Sequence, residues 1–491
     1  MSDAHAAILA ALAAMGGRER LENIHSVSAT IVGTRTMVEQ SERPTGPYFR
    51  DDFHLRESVD FDNGGVREAR EDSAYAGDLW WTDQTEPYAT QLVVRDGVAA
   101  YARGSDWQYA GGSPLAFARE RTTFGPERVL LTALQARDLI SLPDVDLNGS
   151  PFHRVAFTGG GAACTLTLNA RTNLPWSIAW TTAYPYSVFY NAWGDVRTTL
   201  TFNAWSLEPN GVRYPREWTY ERVNLPDQQL TVIGLTFNDL NAVDVSLPAT
   251  FLAAHRTLPA DLDGRPFPVK DAKALASGIE LVPGSWNVAF VKQSDGVVMI
   301  EAPISSGYVR QALAYAAQRF ALPVKAVITT SDSWPHIAGV REAVALGVPV
   351  YALDLNEPIL SRLLTSPRTI HPDDLARTPR PAQLHWISHS TMLGDGDNGL
   401  QIVPYRTATG ERQMMVYLPN RRLLYTSDLF APDDVAGDGT VKSWFTPEYL
   451  DEAIGAIERE RLSPETIWGM HYGPLPYQTI VDARAAFERR V

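Results

Sequence analysis

Residues 329–347 read TTSDSWPHIAGVREAVALG, with the apolar run VKAVIT entering from Val324 and a helical pattern leaving. A tight turn between a strand and a helix directs alternate side chains into one cleft. Ser331, Asp332, Ser333 and His336 are of types that metal ligation, acid–base work or substrate contact could use there. Three other stretches carry suggestive residues in patterns that point to structure. GGGAACT at 159–165 lacks the Lys-Ser/Thr ending of a phosphate loop and reads as a hairpin turn. GDGDNG at 394–399 has the spaced carboxylates of a calcium loop, but the twelfth position from Asp395 is Arg406, so a turn is expected. His385 and His389 are four apart in QLHWISHS. That segment reads as a strand, on which such residues share a face but lie about 13 Å apart.

The elements that position the turn must come from a chain of 491 residues, which predicts two domains. Hydrophobic residues make up 45% and charged residues 20%, the balance of an ordinary globular protein. The net charge of −14, with no Lys/Arg-rich run, argues against nucleic acid as a partner. Cys164 is the single cysteine, which excludes an intrachain disulfide and a thiolate metal cluster and favours a reducing, cytoplasmic compartment. No apolar run reaches the roughly 20 residues of a membrane span. The first stretch, MSDAHAAILAALAAMGGRERL, has no basic leader region and reads as a helix ended by Gly16-Gly17. A periplasmic location stays open if a leader has been removed. Oligomeric state is not legible.

From Ile24 to Leu252 the pattern is mostly strand. SVSATIVGTRTMVEQ, TQLVVRDGVAAYARG and SIAWTTAYPYSVFYNAW alternate or run apolar between turn signals. LNARTNLPWSIAW and WSLEPNGVRYPREWTY read as strand–turn–strand units, and ERVLLTALQARDLI as a helix. The expectation is a mainly antiparallel β domain over 1–255. The Pro-rich stretch 256–283 is the expected linker. From 284 to 491 strands and helices alternate, which predicts an α/β layered domain.

The C-terminal part, from about 280 to 491, resembles the metallo-β-lactamase superfamily, whose zinc hydrolases carry His-x-His-x-Asp-His after a strand. The resemblance rests on four pieces in family order: VVMIEAP, ending its strand in Glu301; the strand, turn and helix at 324–352; QMMVYLPNRRLLYTSDLF, with Asp428; and ETIWGMHYGP, with His471. It implies an αββα sandwich. Laid on the motif without gaps, the two leading histidines become Ser331 and Ser333, the aspartate becomes Pro335, and the last histidine survives as His336. A further family histidine falls on Thr409. The resemblance thus implies a degenerate site in which His336, Asp428 and His471 hold one divalent metal, zinc or iron, or none. Ser331, Asp332, Ser333 and Thr409 would line the substrate side, and their hydroxyls would keep the cleft polar and open. The β half resembles the curved-sheet domains of periplasmic lipoprotein carriers, through IHSVSATIVG after a helix, TLNARTNLPWSIAW and GVRYPREW. LWW at 79–81 and the aromatics of 180–193 either line its concave face or fill its core.

The expected function is an enzyme acting on a small organic substrate, a hydrophobic one being among the options, by hydrolysis or a related step at a single metal. The alternatives are a metal-free isomerase, cyclase or lyase using the same cleft, and a ligand-binding protein without turnover. The fold alone does not choose among them.

Overall fold

The computed structural model describes residues 3–38, 46, 48, 50–72, 88–103, 106–239, 244–407, 412–429 and 447–488. Strands β1 (Ser26–Thr36), β2 (Arg50–Asp60), β3 (Gly65–Asp72), β4 (Tyr88–Arg95), β5 (Val98–Arg103) and β6 (Asp106–Tyr109) begin one sheet. Strands β7 (Ile140–Leu147), β8 (Ser150–Gly159), β9 (Ala162–Asn169), β10 (Pro175–Thr182), β11 (Val196–Leu207), β12 (Arg213–Arg222) and β13 (Leu225–Phe237) complete it. The order is 6-5-4-3-2-1-13-12-11-10-9-8-7, antiparallel throughout, with the first and last strands paired near the middle. One edge, β6, is four residues long, and the other, β7, carries Pro143 at a register shift between Leu142 and Val145.

The strands alternate as expected of a half-buried sheet. Along β2 the burial pattern puts Phe53, Leu55, Glu57 and Val59 inward. Helices α1 (Asp3–Ala14), α2 (Arg18–Glu22), α3 (Ser113–Phe124) and α4 (Val129–Gln135) pack on this inner face. Ile8 and Leu12 of α1 and Val129 to Leu131 of α4 join Phe202, Trp180 and Trp218 in one core. Cys164 is buried there, and burial pushes its thiol up to about 11. GGGAACT is the β8–β9 hairpin turn, with Gly160 and Gly161 at positive φ.

Beyond a short α5 (Ala249–His255), β14 (Lys273–Ala276) and β15 (Ile279–Val282) lie inside the stretch expected to be linker. β14 pairs with β15 and β15 with β16 (Val288–Lys292), so the strands of the first C-terminal sheet start inside that stretch, at Lys273. Short strands bounded by prolines are hard to see without their distant partners. The sheet continues through β17 (Val297–Ile300), β18 (Val324–Ile328), β19 (Val350–Leu353) and β20 (Leu384–Ile387), parallel from β17 onward. A third sheet holds β21 (Thr391–Leu393), β22 (Leu400–Pro404), β23 (Met414–Leu418), β24 (Leu423–Tyr425), β25 (Thr466–Trp468) and β26 (Leu475–Pro476).

The two C-terminal sheets face one another across a core of Val291, Ile300, Ile328, Ile402, Val416 and Trp468. The outer face of the first sheet carries α6 (Ser306–Phe320), α7 (Trp334–Ile337), α8 (Val340–Ala345), α9 (Glu357–Thr365) and α10 (Asp374–Arg377). The outer face of the second carries α11 (Pro447–Arg459) and α12 (Gln478–Glu488). The layers are therefore helix, sheet, sheet, helix. Central strands are buried on both faces, which is why they read as continuous apolar runs.

The run 180–193 departs from expectation. Its strand stops at Thr182, and a loop leads to a 3₁₀ turn at Tyr190–Trp193. Aromatic content suggested strand, but Pro185 cannot donate to a ladder. The loop instead enters the C-terminal core, where Tyr184 and Trp193 lie with Phe290 and Trp334.

Candidate functional site

The turn after β18 is pinned by its backbone. Thr329 N–H donates to the Tyr351 carbonyl at 3.0 Å, and Thr330 N–H to Glu301 Oε1 at 3.2 Å. The Thr330 hydroxyl contacts Glu301 and lies 2.7 Å from Ser427 Oγ. Ser331 Oγ accepts the Ser333 N–H at 3.1 Å, closing the turn. Pro335 sits in the first turn of α7, where its missing N–H costs nothing, and the next residue is His336.

Asp428 and His471 come from the neighbouring strand ends of the other sheet. After β24, Ser427 takes the left-handed conformation (φ 54°) and Asp428 N–H donates to Gln413 Oε1 at 3.3 Å. After β25, Met470 N–H donates to the Ser427 carbonyl at 2.9 Å. The Asn287 amide donates to the carbonyls of Gly469 and Tyr472, each at 2.9 Å. His471 Nδ1 lies 2.8 Å from the Ser285 carbonyl. A carbonyl only accepts, so Nδ1 carries a proton, and in the neutral imidazole that leaves the Nε2 lone pair facing Asp428.

His336 Nε2 is 3.1 Å from Asp428 Oδ2, and His471 Nε2 is 3.1 Å from Asp428 Oδ1. Both contacts are at ion-pair distance, and the carboxylate oxygens, fully buried, meet no other donor among the described residues. His336 Nδ1 is likewise buried without a partner. The donor atoms of the three residues all lie within 4.8 Å of one another. His336 and Asp428 are each 1% exposed. Burial drives the His336 imidazole down to about 4, against the pull of Asp428. Burial also works to raise the Asp428 carboxyl, but the two imidazoles outweigh it and hold the group below the ordinary carboxylate range. Two imidazoles, that of His336 driven toward its neutral form, around a buried ionised carboxylate make a donor set that fits one divalent cation.

Above these residues opens a cavity of about 650 Å³ that both halves build. Trp286, Ser333, Trp334, Pro335, His336 and His471 form its C-terminal wall. Phe53, Leu55, Trp218, Tyr220 and Leu230 face them from the large sheet, and Phe189 and Tyr190 from the loop after β10. That loop packs on the turn itself: the Trp193 and Trp334 rings meet edge to face, centroids 5.0 Å apart. Asn191 Nδ2 donates to the Ile304 carbonyl at 3.2 Å, and Arg368 Nη2 donates to the carbonyls of Asn191 and Ala192 at 2.9 and 2.7 Å.

The sequence-derived ligands His336, Asp428 and His471 thus meet at one point. Ser333 lines the cavity, Ser331 is buried in the turn, and Asp332 is partly exposed. Thr409 and LWW at 79–81 lie outside the described residues. The aromatics of 180–193 divide between both expected roles: Tyr184 and Trp193 fill core, while Tyr190 lines the cavity.

Sequence reasoning missed the charged residues of the cavity: Arg35, Glu57, Glu68, Arg70, Glu120, Arg121, Arg222 and Asp227. A signal existed. Glu57 is in phase with Phe53, Leu55 and Val59, and Arg222 with Trp218 and Tyr220, so both sit on the inward phase of their strands.

No family model and no curated protein matches the chain. Among solved structures, it is similar to the metallo-β-lactamase from Hirschia baltica, at 15% identity and a TM-score of 0.33, over 44% of this chain and 95% of that one. The metallo-β-lactamase from Pontibacter korlensis gives 14% and 0.34, over 44% and 98%. A mono-zinc metallo-β-lactamase from Pseudomonas aeruginosa gives 15% and 0.33, over 45% and 95%.

Proposed function

We propose that the chain is an enzyme with a metallo-β-lactamase-like C-terminal domain and a degenerate site, acting on a small, apolar organic substrate by hydrolysis or a related step. On this reading 1–255 is the substrate-facing β domain and 284–491 carries the chemistry. His336, Asp428 and His471 hold a single divalent metal, zinc or iron. The observation that supports it most is Asp428: fully buried, ionised, 3.1 Å from two imidazole nitrogens, and with no other donor to its carboxylate among the described residues. Leaving such a group unsatisfied costs several kcal/mol, of order 3–5, so a cation is the natural complement.

Bound there, the metal supplies a polarised carbonyl or a water with its pKa lowered to about 7. The chain's own residues do the rest. Ser285 fixes the His471 tautomer so that Nε2 faces the centre. Trp286, Trp334 and Ser333 form the cavity wall beside the centre, and on this reading Ser331, Asp332 and Thr409 join Ser333 on the substrate side.

The test is the metal content of tag-free, chelator-free protein by mass spectrometry, wild type beside Asp428→Ala. The expected result is about one equivalent of zinc or iron, lost in the variant. No metal in wild type, even after adding zinc, iron or manganese, would overturn the metal centre. Activity lost in folded His336→Ala and His471→Ala would then identify metal-free acid–base catalysis, and its survival would leave a binding protein.

A further inference from the structure

We propose that the cavity selects a cationic ligand, an ammonium group carried on an apolar body, with Glu68 as its counter-ion. This rests on reading the cavity as the substrate side of the His336–Asp428–His471 centre. It adds the charge of the substrate, which that reading leaves open.

The first support is the accounting of charge around the cavity. Among the described residues four arginines line it, and each is already matched. Arg121 Nε donates to Glu57 Oε1 at 2.8 Å, and its other nitrogens to Glu127 at 2.8 and 3.1 Å. Arg222 donates to Glu120 and to Asp227, both at 2.8 Å. Arg35 donates to Asp51 at 2.7 Å, and Arg70 to Asp72 at 2.7 Å and to Asp51 at 3.2 Å. Four guanidiniums thus face six carboxylates before Glu68 is counted. A carboxylate or phosphate ligand would meet no uncommitted guanidinium among these four and an excess of negative charge.

The second support is Glu68 itself. It stands directly opposite Glu57 in the β2–β3 register, and both side chains line the cavity. Arg121 takes Glu57, while Glu68 makes no hydrogen bond or ion pair among the described residues. Its side chain is partly buried and is among those that line the cavity. Like charges opposed on neighbouring strands destabilise a sheet, and an unpaired carboxylate beside apolar rings adds to the cost. Burial accordingly pushes Glu68 up to about 7, and Glu57 pushes the same way against Arg70 and Arg121. Such an arrangement is expected where a ligand supplies the missing charge.

The third support is the surrounding surface. The cavity walls present the rings of Trp218, Tyr220, Phe53, Trp286 and Phe189, which suit both an alkyl or aryl body and, through their faces, an ammonium group. Three of the arginines already use this chemistry: Arg70 lies 3.8 Å over the Phe53 ring, Arg121 5.1 Å over Trp218 and Arg222 5.7 Å over Tyr220.

The experiment is a chain-matched series, decylamine, decanol and decanoate, titrated into the full-length protein at pH 8 and followed by tryptophan fluorescence. Decylammonium should bind about tenfold or more tighter than decanol, and decanoate weakest. In Glu68→Gln that preference should collapse toward the decanol value while decanol binding stays. Decanoate binding as tightly as decylammonium in wild type would overturn the proposal, with no variant needed. So would a preference that persists in folded Glu68→Gln, since the ammonium would then be held elsewhere. The assay needs neither metal nor turnover. Ammonium preference in a metal-free protein would uphold the inference and sink the metal reading, and a metal-loaded protein without that preference would do the reverse.

Discussion

Glu68 makes a pH-dependent liability of a single side chain. Glu57 on β2, Arg70 on β3, Arg121 on α3 and Tyr101 on β5 are the charged and titratable groups that bear on it. Its folded value, about 7, lies above the ordinary 4.5. A raised value means that its contribution to stability is complete below about 4.5 and is lost as pH climbs through about 7. Glu68→Gln cannot ionise and escapes that loss. Denaturant titrations should therefore show the variant gaining on wild type between pH 5 and 8, by on the order of 1–2 kcal/mol at pH 8. A constant difference across that range would mean that Glu68 stays ionised throughout. At this scale His336, Asp428 and His471 were legible through the family resemblance, which lays them on the ends of successive strands, and the structure brings the three together. Glu68 was not singled out. Its strand phase can be read from VREARED, but whether a cavity lies in front of it depends on residues more than a hundred positions away.

The loop between β10 and β11 is the element that ties the sheet to the site. It sets Trp193 against Trp334 and Tyr190 against the cavity, so the turn bearing His336 rests partly on N-terminal residues. Trp334→Ala should destabilise the protein by roughly 3–5 kcal/mol, measured by denaturant unfolding, and should weaken ligand binding in whatever folds. A loss below about 1 kcal/mol would mean that the loop simply recloses over the gap. The strands and helices after Gly284 were legible because doubly covered strands are written as unbroken apolar runs and α6 and α11 as helical repeats. YPYSVFYNAW misled because its aromatic residues favour strands on average, while its conformation here is fixed by tertiary packing. β14 and β15 were missed for a related reason: four-residue strands carry too little pattern without the partner that completes them.

At the level of the whole molecule, one apolar cluster crosses the boundary between the two architectures. Tyr184, Ala192, Trp193 and Val196 share it with α6, α7 and the first C-terminal sheet. Arg362 adds to the join from α9, its guanidinium 4.7 Å over the Trp193 ring. Calorimetry should therefore record a single cooperative unfolding transition for the full chain. Two separated transitions, each reversible alone, would show that the shared cluster is too weak to couple the halves. The large sheet has a further consequence at its margins. Thirteen strands in one layer end in two rows of unpaired amides, an open template on which extended chains can stack into fibrils. The short β6 offers little length to copy, and on β7 the Pro143 kink removes a donor and bends the ladder. A sheet this wide can therefore keep its inner face for a ligand while its rims resist recruiting further copies of the same protein.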